Sequence, residues 1–247
     1  MTNWYDDDSF WETFRNYMFN AARVELARIE VDSLLALLEL SPGAHVLDLC
    51  CGPGRHATEF ARRGFTVTGV DRTERYLEEA RSIAATERLT VELLLSDART
   101  FLRRDSFDGA INMFTSFGFF DDADDDLRVA RNVCESLRPG SKFVIDIKGK
   151  EVLARDFRER HWSTRDDGTI VMEEGRVVDG WAKVESRWIL LRGTERRESK
   201  LVVRLYSGVE IVALLREAGF GNVTTYGNLA AAPYDHRAER LVAVATK

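Results

Sequence analysis

The chain has few cysteines, no long apolar run and no excess of positive charge. Its three cysteines among 247 residues are an odd number, and two of them, Cys50 and Cys51, are adjacent, so they do not form a disulfide framework. No stretch approaches the roughly 18 apolar residues of a membrane span. The start, MTNWYDDDSFWETF, lacks the basic and apolar parts of a signal peptide. We therefore expect a cytoplasmic protein without a membrane partner.

The charge balance argues against nucleic acid as a partner. The formal net charge is -6, and acidic runs at residues 6–8 and 121–126 provide no positive surface for a phosphate backbone. The composition, 45% hydrophobic and 31% charged, is that of an ordinary globular protein with a sizeable core. The sequence does not indicate an oligomeric state, and either a monomer or a homodimer fits it.

The hydrophobic pattern changes along the chain. Residues 9–39 have helical periodicity and predict two helices that end at Ser41-Pro42-Gly43. Apolar runs such as AHVLDL, FTVTGVD and KFVIDI then alternate with helical segments, which is typical of a parallel sheet covered on both faces. Residues 161–206 alternate in period two between turn signals and predict an antiparallel insertion of three or four strands. Ser207 caps a further helix, and two strands close the chain.

This pattern predicts an α/β fold with a doubly wound, mostly parallel sheet and an antiparallel β insertion. The expected organisation has three parts. Residues 1–40 form an N-terminal helical cap, residues 41–148 and 207–247 form the cofactor-binding domain, and residues 149–206 form the insertion on the substrate side.

Three aspartates follow successive predicted strands. Asp48 ends the first, Asp71 ends the second and Asp97 comes just past the third. Parallel strands deliver their carboxyl ends to one edge of the sheet, where open α/β folds bind ligands. A carboxylate after the second strand suits two ribose hydroxyls, because two donors match two acceptor oxygens. Asp97, next to Ala98, is placed to accept from an exocyclic amine such as that of adenine.

The glycine-rich loop after the first strand allows two cofactor classes. Residues 52–57, GPGRHA, satisfy G-x-G-x-x-G/A, and Asp71 stands near the distance expected for a NAD ribose, so an NAD-binding oxidoreductase is one alternative. Asp48 argues against it, since it would meet a pyrophosphate with negative charge, and Asp97 would have no evident dinucleotide role. An acidic pocket instead suits a cofactor with an ammonium and a sulfonium group but no phosphate.

The motifs LDLCCGPG, GVD, SDA, FDGAINMFTSFGFF and LRPGSKFVID, in this order, resemble those of the class I S-adenosylmethionine-dependent methyltransferases. The resemblance runs from about Val46 to the end of the chain and implies a Rossmann-like, seven-stranded sheet with S-adenosylmethionine as cofactor. The helical N-terminus and β insertion resemble small-molecule members such as the glycine and amino-sugar N-methyltransferases. Methyl transfer to N or O of a small-molecule acceptor, by in-line displacement, is the implied function. A cofactor-binding protein without transferase activity is the other alternative.

The resemblance implies that separate segments of this chain bind the separate parts of the cofactor. The turn from Asp48 to Gly54 would hold the methionine part, Asp71 the ribose, and Asp97 with Ala98 the adenine. The end of the fourth strand would border the sulfonium and the acceptor. The implied cofactor residues are Asp48, Cys50, Cys51, Gly52, Gly54, Asp71, Arg72, Asp97, Ala98, Asn112, Met113 and Phe114, with Tyr5, Trp11 and Tyr17 from the N-terminus.

Cys50 stands where the family pattern usually has glycine. We interpret Cys50 and Cys51 as small residues that shape a tight turn, because adjacent cysteines rarely point into one metal tetrahedron, and we predict no metal site. The aromatic N-terminal segment has two interpretations, as plain core or as a lid whose rings face the positive sulfonium. The sequence does not identify a general base, and the candidates are Tyr17, His161 and His236.

Overall fold

The computed structural model of the protein describes residues 3–247, which fold into two β-sheets and their covering helices. The helices are α1 (Asp8–Met18), α2 (Ala21–Leu38), α3 (Arg55–Arg62), α4 (Glu74–Glu87), α5 (Ala123–Ser136), α6 (Lys150–Asp156) and α7 (Gly208–Glu217). The strands are β1 (His45–Leu49), β2 (Thr66–Asp71), β3 (Glu92–Leu95), β4 (Phe107–Asn112), β5 (Leu137–Ile147), β6 (Arg160–Thr164), β7 (Ile170–Val178), β8 (Lys183–Arg192), β9 (Glu195–Arg204), β10 (Asn222–Tyr226) and β11 (Leu241–Thr246).

The larger sheet has seven strands in the order β10-β11-β5-β4-β1-β2-β3. Strands β1 to β5 pair in parallel, whereas β11 pairs antiparallel with both β5 and β10. The strand order reverses between β1 and β4, and open sheets of this kind bind ligands outside the carboxyl ends of the strands at such a switch point. The predicted fold class is confirmed.

The apolar runs of the sequence form the core on both faces of this sheet. On one face, Val31 and Leu34 of α2 pack with Val46, Val67 and other buried strand residues. On the other face, the apolar sides of α5 and α7 pack against strands β1, β4, β5 and β11. Because both faces are covered, the central strands contain continuous apolar residues rather than an alternating pattern.

The second sheet is antiparallel with four strands in the order β6-β7-β8-β9. Helix α1 packs against it through Phe10, Phe14 and Met18, which cluster with Val171 and Leu201. The sequence pattern missed α6, a seven-residue helix that precedes this sheet. Such a short helix has too few residues to show a clear period, which explains the omission. The boundaries of the three-part division remain a prediction.

No helix within residues 3–247 has the length and apolar character to span a membrane.

Candidate cofactor site

A pocket opens at the carboxyl ends of the parallel strands, between the larger sheet and the N-terminal segment. Its cavity volume is about 90 Å³, below the roughly 300–1,000 Å³ typical of small-molecule sites, so a cofactor-sized ligand would have to displace part of the wall. Two carboxylates, Asp71 and Asp97, face an otherwise mainly apolar wall. The lining includes seven aromatic side chains, those of Tyr5, Trp11, Phe19, Tyr76, Phe117, Phe119 and Phe120.

Asp71 lies at the end of β2 and is fixed by the loops on either side of it. The backbone N–H of Gly52 donates to Oδ2 at 2.8 Å, and the backbone N–H of Thr73 donates to Oδ1 at 2.8 Å. Burial raises the pKa of the Asp71 carboxyl, while these two N–H groups lower it. Each carboxylate oxygen has a second lone pair, so the group is able to accept two further hydrogen bonds from the pocket.

Asp48 and Asn112 carry buried polar atoms without partners. The Asn112 amide nitrogen donates to the carbonyls of Leu49 and Ser116, at 3.1 and 3.2 Å, which leaves its Oδ1 as an acceptor. Neither that Oδ1 nor Oδ2 of Asp48 has a hydrogen-bond donor among residues 3–247, although both side chains are only 1% exposed. Unsatisfied buried acceptors are costly, so two of them on neighbouring strands indicate a site for a ligand with N–H donors.

Burial raises the pKa of the Asp48 carboxyl to about 7. The positive charge of Arg55 and the backbone N–H of Ala57 lower this pKa, and the nearby Asp71 raises it further. A positively charged ligand group beside Asp48 would favour its ionised form and bring the pKa down. The electrostatics of the loop therefore suit an ammonium.

The turn between β1 and α3 has the left-handed backbone that the glycine pattern requires. Gly52 and Gly54 have φ values of 55° and 77°, and Cys50, in the place of a glycine, has φ of 60°. A side chain on Gly54 would meet the Ala80 Cβ at 2.8 Å, so this glycine lets α3 approach α4. Cys50 adopts a left-handed backbone conformation, which is about 1–2 kcal/mol less favourable for a residue that has a Cβ atom.

The strain at Cys50 leads to a stability prediction. We expect Cys50→Gly to raise the free energy of unfolding by up to about 1 kcal/mol, since glycine adopts this φ without a steric penalty. Cys51→Gly is the matched control, because Cys51 has an ordinary backbone and a buried side chain, and this change should destabilise the protein. Urea unfolding of both variants measures the difference. A Cys50→Gly variant as destabilised as Cys51→Gly would show that the turn is not strained.

Cys51 is buried and Cys50 is partly buried, and burial raises the pKa of each thiol, with the nearby Asp48 and Asp71 raising it further. They are therefore neutral thiols, not the thiolates that metal binding or nucleophilic attack needs. Within residues 3–247 no group of cysteine, histidine and acidic side chains is arranged to hold a metal ion.

Asp97 lines the pocket with Ala98, as expected, but it already has a strong partner. The Arg99 guanidinium donates to both oxygens, with Nη2 at 2.6 Å from Oδ2, and lowers the pKa of the Asp97 carboxyl. The predicted role of this carboxylate as the acceptor of an exocyclic amine does not take into account the arginine two residues later in the sequence. Any amine donor would have to share Asp97 with Arg99.

The N-terminal segment forms one wall of the pocket. Arg72 Nη1 donates to the Tyr5 carbonyl at 2.6 Å, and the Tyr76 hydroxyl donates to the Trp11 carbonyl at 2.7 Å. Trp4 Nε1 donates to the Val202 carbonyl on β9 at 3.0 Å. The segment is thus tied to the larger sheet on one side and to the insertion on the other. Some of its aromatic side chains are buried and some line the pocket, and the interpretation as a lid over the sulfonium remains a prediction.

The other predicted residues lie outside the pocket lining, and these include Asp48, Cys51, Gly54 and Asn112 of the strand ends and the first turn. Met113 is buried under α2, and Phe114 lies beneath arginine side chains, with the guanidinium of Arg23 4.4 Å from its ring centre. Tyr17 donates its hydroxyl to Glu173 on β7. His161 and His236 are exposed and do not line the pocket. The structure does not bring the three candidate bases together.

Sequence reasoning missed a large part of the aromatic wall. Phe117, Phe119 and Phe120 line the pocket from the loop after β4, and Tyr76 does so from α4. In the sequence, FTSFGFF is part of a family motif. The signal that could have placed it at the site is its position after a predicted strand, at the same edge as the three aspartates.

Comparison with known proteins relates part of this chain to a family and its fold to solved structures. Residues 46–140 match the family model described as "Methyltransferase domain". The fold resembles that of a S-adenosylmethionine-dependent methyltransferase from Clostridium acetobutylicum, with a TM-score of 0.80 and 17% identity over 97% of this chain and 98% of that one. Residues 46–140 therefore match a methyltransferase domain, and the chain has the fold of solved S-adenosylmethionine-dependent methyltransferases. The expectations for family, enzyme class and cofactor are confirmed, and the alternative of an NAD-binding oxidoreductase is set aside.

Two further relatives are enzymes with small acceptors in their descriptions. The structure of CalS10 with bound S-adenosylmethionine, an amino pentose methyltransferase from Micromonospora echinaspora, has a TM-score of 0.66 and 22% identity over 96% of each chain. A ubiquinone biosynthesis O-methyltransferase from Coxiella burnetii is 29% identical over 108 residues, 41% of this chain and 42% of the relative. The chain spans less than half the length of the curated relatives it matches.

Proposed function

We propose that the protein transfers the methyl group of S-adenosylmethionine to a nitrogen or oxygen atom of a small-molecule acceptor. The cofactor supplies a methyl group already activated on a sulfonium, with a neutral leaving group for an in-line displacement. The work of the protein is then mainly to hold the two reactants in line, which is worth up to roughly 7–11 kcal/mol in intramolecular models. A general base is needed only for an acceptor that arrives protonated or as a hydroxyl.

The observation that carries the proposal is the pair of unpartnered acceptors, Oδ2 of Asp48 and Oδ1 of Asn112. The cofactor's ammonium has three N–H donors and a positive charge, and these two atoms are buried acceptors at the ends of adjacent strands. No pyrophosphate would be stable beside them, since one belongs to a carboxylate. The fit of the donor set to the orphaned atoms supports placing the methionine part at this end of the loop.

The rest of the pocket supports the placement of the adenosine part. Asp71, with a free lone pair on each oxygen, would accept from the two ribose hydroxyls. Ala98 and the aromatic side chains provide apolar surface for a flat base, and Trp11 and Tyr5 enclose it from the N-terminal side. Arg72 acts indirectly in this arrangement, because its guanidinium holds the Tyr5 backbone in place.

A small-molecule acceptor is supported by the covered, aromatic shape of the site. The N-terminal segment is tied to both sheets and leaves a pocket of limited volume, a shape that favours a compact acceptor over a long polymer. The methyltransferases that this chain resembles also include enzymes with small-molecule acceptors and a β insertion after the fifth strand. Tyr17 is the candidate base that lies on α1, but its hydroxyl donates to Glu173, and its raised pKa excludes a free phenolate at neutral pH.

A two-stage experiment tests the proposal. Isothermal titration with S-adenosylhomocysteine measures cofactor binding, and a labelled-methyl assay with panels of amines, phenols, amino acids and amino sugars measures transfer. We expect saturable binding of S-adenosylhomocysteine and methylated product from at least one panel. Binding without transfer to any compound would favour the alternative of a cofactor-binding protein without transferase activity, and a short RNA included in the screen tests the expectation that nucleic acid is not the acceptor.

A further inference from the structure

Two arginines between the N-terminal helices and the insertion have no acidic partner. Arg23 lies near the start of α2, and Arg165 lies in the turn between β6 and β7. Neither forms a salt bridge with any side chain of residues 3–247, whereas most other partly buried arginines of the structure do. A guanidinium removed from water without a counter-charge is costly, so such a pair calls for an explanation.

Arg23 is held by backbone carbonyls and by an aromatic ring. Its Nη1 donates to the Met18 carbonyl at 2.8 Å, and its guanidinium lies 4.4 Å from the centre of the Phe114 ring. Arg55 and Arg240 lie near the same ring, at 5.6 and 5.8 Å, but each has its own carboxylate, Glu30 for Arg55 and Asp146 for Arg240. Burial and the positive charges around Arg23 lower its pKa.

Arg165 stacks on the ring of Tyr17. Its guanidinium lies 4.5 Å from the centre of the Tyr17 ring, and its Nε is buried without a hydrogen-bond acceptor. Arg165 and Tyr17 both line a cleft between α1 and the insertion sheet. The other arginines of this cleft are each paired with a carboxylate, namely Arg15 with Glu79, Arg192 with Asp167 and Arg197 with Glu195.

Tyr17 contacts both arginines, since its carbonyl accepts from Arg23 Nη1 at 3.4 Å and its ring lies against the Arg165 guanidinium. Its hydroxyl donates to Glu173. The acidic residues that line the cleft form no ion pair with either arginine, and these are Glu12, Asp166, Asp167 and Glu195. The local excess of positive charge and the unpartnered Nε of Arg165 both point to an anion.

We propose that the methyl acceptor carries an oxyanion, a carboxylate or a phosphate, that binds between Arg23 and Arg165. This inference rests on the proposed function. Phe114, beneath Arg23, follows Asn112 by two residues, so the anion site adjoins the end of β4 where the sulfonium and the acceptor are expected to meet. Both carboxylate and phosphate oxygens accept from guanidinium groups in the same bidentate manner. Arg204 offers no alternative, since its guanidinium is already paired with the buried Asp126.

The test uses the full chain saturated with S-adenosylhomocysteine and titrated at constant ionic strength with inorganic pyrophosphate and, separately, with malonate. We expect at least one anion to bind saturably. The anion that binds with the higher affinity shows whether the acceptor carries a phosphate or a carboxylate. Arg23→Met and Arg165→Met should each weaken this binding about tenfold or more, because Met keeps the apolar stem but removes the charge-assisted hydrogen bonds. Arg197→Met, in the same cleft but paired with Glu195, is the matched control and should change binding less than twofold.

Several results would overturn the inference. One is equal weakening by Arg197→Met, which would show a general effect of charge. Another is an Arg23→Met variant that loses S-adenosylhomocysteine while Arg165→Met binds the anion as before, which would assign Arg23 to the cofactor. Normal S-adenosylhomocysteine binding without saturable anion binding overturns this inference alone, whereas a wild-type protein that does not bind S-adenosylhomocysteine overturns the proposed function. Thermal unfolding of each variant confirms that the fold is kept.

Discussion

Replacing Asp71 with alanine is expected to weaken the binding of S-adenosylhomocysteine about a hundredfold. The carboxylate is the one acidic group of the pocket with a free lone pair on each oxygen and no arginine partner among the described residues. Two hydrogen bonds from ribose hydroxyls to a charged acceptor contribute roughly 1.5–3 kcal/mol each, and about 2.7 kcal/mol corresponds to a hundredfold change. Isothermal titration of the variant against the wild-type protein measures the loss.

Two further variants distinguish ribose binding from loop support. Asp71→Asn keeps an oxygen for one of the backbone N–H groups of Gly52 and Thr73, so it should weaken binding less than alanine does. Glu74→Ala removes an exposed carboxylate three residues later and should leave the affinity unchanged. Thermal unfolding should show that all three variants fold. Unchanged affinity in a folded Asp71→Ala variant would refute the ribose assignment.

The affinity for S-adenosylhomocysteine is expected to rise by about twentyfold between pH 5.5 and pH 7.5. Burial raises the pKa of the Asp48 carboxyl to about 7, so the cofactor-free protein is mostly protonated at this position below pH 7. An ammonium beside the carboxylate favours the ionised form, and binding therefore releases a proton at low pH. Affinity is then weaker at the acidic end, by about tenfold for each pH unit below the free-protein pKa. The cofactor's own α-amino group stays largely protonated over this range.

Asp48→Asn isolates this effect from the other titrating groups. The variant should bind S-adenosylhomocysteine more weakly than the wild-type protein at pH 7.5, and it should lose most of the pH dependence. Titrations in two buffers of different ionisation enthalpy measure the released proton directly. Asp71 also has a raised pKa, so part of the dependence belongs to it. A wild-type affinity that stays constant with pH, or the same pH slope in Asp48→Asn, would show that Asp48 does not hold the ammonium.

The fold and the position of the site could be read from the sequence because they depend on local patterns. Apolar runs separated by helical segments define a parallel sheet, and the carboxyl ends of its strands place Asp48, Asp71 and Asp97 along one edge. The sequence also predicts the tight first turn correctly, since Cys50 adopts the left-handed backbone expected of a glycine at this position. These features follow from spacing along the chain, which the sequence contains directly.

The remaining features depend on which side chains meet in three dimensions. Nothing in the spacing shows that Arg99 would turn back onto Asp97, or that Asp48 and Asn112 would be left without partners. The excess of positive charge at Arg23 and Arg165 arises from the contact between two distant segments of the chain. Pairing of charged side chains is decided by tertiary packing, so sequence alone gives the positions of these groups but not their partners.

A crystal structure of the protein with S-adenosylhomocysteine would test the central claim most directly. We predict that the ammonium of the homocysteine part lies within hydrogen-bond distance of Oδ2 of Asp48 and Oδ1 of Asn112, with the ribose hydroxyls on Asp71 and the sulfur facing an open space beside Phe114. A complex in which Asp48 and Asn112 remain without ligand contacts, or in which packed side chains close the space in front of the sulfur, would contradict the proposed methyl transfer.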